Sequence, residues 1–120
     1  MITGPGWATP YIAKLKQDGK VQLKVYGTAM IPLLAPGDQV ILRIITNNEV
    51  YPGDIVLCRV NGRDYLHKIA SVRLDRYQIA DNKDFIKGWV TLSGIFGKCV
   101  KIIKREPAPA KPKQPGTSTK

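Results

Sequence analysis

The dipeptide Asn61-Gly62 stands between two apolar, β-branched runs, and it constrains this chain more than any other feature. Asparagine and glycine tolerate the positive φ angles of a two-residue type I′ turn. They therefore predict a hairpin pairing Ile55–Val60 with Arg63–Val72. Further short runs follow the same pattern: Val21–Tyr26, Gln39–Ile45, Tyr77–Ala80, Trp89–Leu92 and Lys98–Ile103. Each is bounded by glycine, proline or aspartate turns. Short strands at such spacing predict an all-β fold, barrel-like or sandwich-like. One short N-terminal helix is expected, with Thr9 as its cap, Pro10 at its first position and an end near Gln17, before Asp18-Gly19.

Pro36-Gly37-Asp38-Gln39-Val40 is echoed by Pro52-Gly53-Asp54-Ile55-Val56. Two copies are too few for a repeat architecture. The pair is read as two similar turns, each launching a strand. Residues 1–19 form an N-terminal segment with the helix, and 20–104 form the β domain. Residues 105–120 form a basic, proline-rich tail. From Glu106 that tail reads EPAPAKPKQPGTSTK, which lacks a large apolar residue and is expected to be disordered.

Of the 120 residues, 43% are hydrophobic, enough for one compact core. No apolar run is long enough to span a bilayer, and Met1–Trp7 lacks the pattern of a signal peptide. A soluble, cytoplasmic domain is expected. Cys58 and Cys99 sit outside any CxxC, and there is a single histidine. No zinc site and no cofactor are expected, and both cysteines are read as small buried hydrophobes. The net charge of +10 suits nucleic acid, an anionic membrane or an acidic protein, and equally plain solubility. The body of the chain has no run of basic residues, so nucleic acid is not the favoured partner. If it were bound, Trp7, Tyr11 or Trp89 would be the stacking platforms.

Chemistry concentrates in Gly27-Thr28-Ala29-Met30-Ile31-Pro32, followed by Gly37-Asp38. A strand that ends in a glycine turn can hold a side chain at a rim beside a free N–H, as a nucleophile and its oxyanion hole require. The stretch resembles the Gly-x-Ser-Met-x-Pro…Gly-Asp motif of the LexA-type repressors and type I signal peptidases, with Ala29 at the nucleophile. Further landmarks of that family follow in order: Gly53-Asp54-Ile55-Val56, Leu66-His67-Lys68-Ile69, Ala80-Asp81-Asn82 and Gly94-Ile95-Phe96-Gly97-Lys98. The resemblance covers about residues 20–103. It implies a soluble Ser–His endopeptidase domain acting on peptides with small residues near the scissile bond. It places the general base on the strand holding His67-Lys68.

Neighbours on a strand face opposite ways, so only one of His67 and Lys68 can face position 29. A histidine of pKa roughly 6.5 is largely neutral at pH 7, whereas a lysine must lose over ~3 pKa units. His67 is therefore the expected base, with Lys68 the alternative. Asp81 is the expected orienting carboxylate, with Asp84 as a second candidate. Thr28 and Met30 are assigned to the oxyanion or substrate groove.

Alanine has no nucleophilic atom, so the chain as given is expected to be inactive. An engineered Ser→Ala variant of a peptidase is favoured, because His67 and Asp81 are kept. The alternative is a natural pseudo-peptidase that binds peptides or supports assembly. Self-cleavage is not expected, since no Ala-Gly or Cys-Gly bond precedes residue 29 and no DNA-binding domain precedes the catalytic part.

Overall fold

In the computed structural model, which describes residues 6–106, α1 (Thr9–Asp18) precedes seven strands. These are β1 (Lys20–Lys24), β2 (Gln39–Arg43), β3 (Ile55–Val60), β4 (Arg63–Arg73), β5 (Arg76–Ala80), β6 (Ile86–Val90) and β7 (Ile95–Ile103). They form one sheet of order β1-β2-β7-β3-β4-β5-β6, in which every neighbouring pair is antiparallel. The fold is all-β with one short N-terminal helix, as the turn spacing predicts.

The Asn61-Gly62 hairpin forms in the expected register, with both residues at positive φ (50° and 80°). β3 lies in the middle of the sheet and is buried along almost its whole length. One of its faces joins a core of Leu23, Val40, Leu42, Leu57 and Leu66 with Ile12 and Leu15 of α1. The other joins Val50, Ile69, Tyr77, Ile79 and Ile95. Gly97 lets the helix approach this closely. A Cβ there would lie 3.0 Å from Leu15 Cδ1 and 3.1 Å from the Arg43 carbonyl.

The two Pro-Gly-Asp turns match bond for bond. Gly37 and Gly53 both have φ 94°. Gly37 N–H donates to Val25 O, and Gly53 N–H donates to Ile69 O. The Asp38 carboxylate accepts from Ala35 N–H, and the Asp54 carboxylate accepts from Tyr51 N–H. Each turn delivers the chain into a strand, β2 or β3, as read from the sequence.

Three local expectations change. The helix cap is Ala8 rather than Thr9, with Pro10 inside the first turn. A distant side chain takes the capping role: Asp64 of β4 accepts the Ala8 N–H at 2.9 Å. The strand expected at Trp89–Leu92 runs instead over Ile86–Val90, and Leu92–Gly94 is a 3-10 turn that feeds β7. Cys58 is fully buried, as expected, whereas Cys99 is only half-buried. Both thiols are free. Among the described residues no helix is long and apolar enough to cross a membrane. The ordered contacts reach Arg105, whose N–H donates to Asp38. The rest of the expected disordered tail, 107–120, lies outside the described residues.

Candidate active site

After β1 the chain continues extended to Val25, turns at Gly27 (φ 82°) and coils through residues 28–34. Ile31 N–H donates to Thr28 O, and Leu34 N–H donates to Met30 O. Met30 and Leu34 are buried and anchor this coil from below. Thr28 and Ala29 are thereby left exposed at its rim. The Ala29 N–H has no acceptor among the described residues, and that is the state an oxyanion donor requires.

Asn82 fastens this coil to the β5–β6 turn. Its backbone N–H donates to Ala29 O at 3.0 Å, and its side-chain amide donates to Ile31 O at 2.9 Å. The sequence motif Ala80-Asp81-Asn82 thus has a mechanical role at the candidate nucleophile position.

His67 lies on β4 and is buried. Its Nδ1 is 2.7 Å from Leu66 O. A carbonyl can only accept, so Nδ1 carries the proton in this bond, and the neutral ring keeps a lone pair on Nε2. Burial lowers the His67 pKa below the ordinary histidine value, and the Lys87 charge pushes the same way. The Leu66 carbonyl and the Asp81 charge oppose them. The Tyr65 ring lies against the imidazole, with centroids 4.8 Å apart.

A cavity of about 250 Å³ joins these parts. Ala29 and His67 line it together with apolar groups that include Trp7, Leu23, Met30 and Leu66. Met30 therefore both supports the coil and walls the cavity.

Lys68 does not line this cavity, and its ammonium pairs with Asp84 at 2.8 Å. Asp84, the second candidate for supporting His67, is thus engaged with Lys68. Asp81 is buried, and one of its oxygens accepts the N–H groups of Lys83 and Phe85 at 2.9 and 3.0 Å. Its other oxygen is 3.9 Å from Lys87 Nζ. Burial raises the Asp81 pKa, but the two backbone bonds and the Lys87 charge outweigh it, so the net shift is downward. Asp81 acts on His67 through its charge, and no hydrogen bond or ion pair joins the two among the described residues.

Two contributors escape sequence reasoning. Lys87, on edge strand β6, lies 6.0 Å from the Tyr65 ring centroid and beside Asp81. Nothing in its own neighbourhood of sequence marks it. Asp64 is the other. Its side chain is fully buried, bonds Arg59 Nε at 2.6 Å and Nη2 at 3.1 Å, and caps α1. Its carbonyl accepts the Trp7 indole N–H at 2.9 Å, which fixes a wall of the cavity.

An antiparallel β domain, a glycine-turn coil and a neutral strand histidine on one cavity define a peptidase-like domain of the LexA and signal-peptidase kind. The chain belongs to the Peptidase S24-like family, which matches residues 7–100. No curated protein matches it.

Proposed function

We propose that this chain is a Ser–His endopeptidase domain silenced at its nucleophile position by Ala29. The observation that carries the reading is the state of His67: buried, neutral, with Nδ1–H held by Leu66 O and Nε2 left as a base. With serine at position 29, Nε2 takes the hydroxyl proton as Oγ bonds the scissile carbonyl carbon. The position-29 N–H stabilises the oxyanion. The imidazolium returns its proton to the departing amine, and water then hydrolyses the acyl-enzyme. Asp81 favours the transient imidazolium through its charge. Substrates are extended peptides with small residues beside the scissile bond. An engineered Ser→Ala change in a working peptidase accounts for a complete site around an inert residue.

The test is Ala29→Ser, assayed by mass spectrometry on extended peptides with alanine at the cut, over pH 6–9. Hydrolysis that disappears in Ala29→Ser/His67→Gln supports the reading, and an inert Ala29→Ser protein overturns it. A second reading, a peptide-binding module, draws on the intact apolar cavity, which keeps its walls without a nucleophile. It predicts that peptide adds as a strand with equal affinity to the parent chain and to its Ala29→Ser variant, with no cleavage by either.

A further inference from the structure

The cations of this chain divide into paired and unpaired sets. Six carboxylates each hold a cation: Asp18 with Lys14, Asp38 with Lys104, Asp54 with Lys98, Asp64 with Arg59, Asp81 with Lys87 and Asp84 with Lys68. Ten other cations have no ion-pair partner among the described residues, and four of these are Lys20, Lys24, Arg43 and Lys101. All four are exposed, and all four lie on β1, β2 or β7.

Strand register brings them to one face. Lys20 stands opposite Arg43, which stands opposite Lys98. In the next outward row Gln22 faces Ile41, which faces Lys101, and in the third Lys24 faces Gln39. The intervening residues Val21, Leu23, Val40 and Leu42 point inward to the core under α1. Lys20, Arg43 and Lys101 therefore cover the outer face of the sheet and stand outside the cavity that holds His67, whereas Lys24, at the end of β1, also lines that cavity. Strand spacing of about 4.8 Å and a rise of about 3.4 Å per residue make this a patch of roughly 10 by 14 Å.

We propose that this outer face of β1, β2 and β7 binds the phosphate backbone of double-stranded nucleic acid. Lys20, Arg43 and Lys101 are exposed and unpaired, which suits regularly spaced phosphates, and the bordering carboxylate of Asp54 is held by Lys98. The outward positions of these rows carry no aromatic ring, so the face lacks the stacking platform that a single strand uses. Contacts from lysine and arginine to phosphate oxygens fix position on the duplex and carry no base information. Binding is consequently independent of sequence. Through Lys20, Arg43 and Lys101, which do not line the His67 cavity, it is also independent of the chemistry proposed there.

The experiment is fluorescence anisotropy of the full chain with a labelled DNA duplex across a salt series. Each phosphate contact contributes about −0.9 to the slope of log K against log salt. Lys20→Gln, Arg43→Gln and Lys101→Gln are each expected to flatten that slope by about one unit and to weaken binding at low salt. Arg73→Gln, at the far tip of β4, and His67→Gln leave both unchanged. Three results would overturn the proposal: no duplex binding at low salt, loss of binding only on replacing the tail cations Lys111, Lys113 and Lys120, or variants that affect phosphatidylserine vesicles rather than DNA.

Discussion

Replacing Asp64 by alanine removes three bonds from one buried carboxylate. The helix loses the acceptor for its Ala8 N–H, a change worth about 1 kcal/mol at an N-cap. Arg59 loses two charge-assisted bonds, at 2.6 and 3.1 Å. Breaking a fully buried pair costs about 3–5 kcal/mol. The Arg59 side chain, however, is 39% exposed, so water can rehydrate it and the loss falls to about 1–2 kcal/mol. The sum is about 2–3 kcal/mol. A domain of this size shifts its Tm by about 4–8 °C per kcal/mol, so Asp64→Ala should melt roughly 8–24 °C lower. Asp64→Asn keeps one acceptor and should lose about half as much. The assay is urea and thermal unfolding followed by circular dichroism, with tryptophan fluorescence to report the Trp7 wall that Asp64 positions. A double-mutant cycle with Arg59→Ala should show coupling of about 1 kcal/mol. A loss below about 0.5 kcal/mol, or no coupling, would refute the assignment of Asp64 as the residue that fastens α1 to the sheet.

Other outcomes follow from single contacts. His67 titrates below the ordinary histidine value in the fold, so the unfolded chain takes up its proton first. Its contribution to stability is whole above pH ~6.5 and is lost as pH falls through that value toward the folded pKa. NMR of the single imidazole should show this low pKa, and Lys87→Met should raise it. A Lys87→Met protein with an unchanged titration would contradict the electrostatic role given to Lys87. Gly97→Ala should cost about 1–3 kcal/mol, read by urea unfolding, because its Cβ meets Leu15 and an immovable Arg43 carbonyl. Asn82→Ala should destabilise by about 0.5–1.5 kcal/mol and speed hydrogen exchange in residues 28–31, since it frees Ile31 O.

Local geometry is legible in the sequence where turn chemistry dictates it. Asn61-Gly62 and the two Pro-Gly-Asp turns announce their conformations through φ preferences, and the strands they launch follow. The order of strands is not legible. β7 inserts between β2 and β3, a long-range pairing that no local pattern encodes. The helix cap falls one residue before Thr9 because its acceptor is supplied by Asp64, 56 positions away. β6 begins earlier than the Trp89 run suggests, because Gly88, at φ 146° and packed on Val60, interrupts the strand pattern. In the site, strand alternation separates His67 from Lys68, and the structure engages Lys68 with Asp84. Lys87 and the Asn82 clamp come together only through tertiary contacts, so their proximity to the coil and the histidine has no linear signature.

The central claim is that the site is complete apart from the atom missing at Ala29. Its most direct test is covalent. The Ala29→Ser protein, treated with a serine-directed fluorophosphonate, should gain the mass of one adduct, located to residue 29 by peptide mapping. The Ala29 protein and Ala29→Ser/His67→Gln should gain none. An Ala29→Ser protein that folds as before yet takes up no label between pH 6 and 9 would contradict the account.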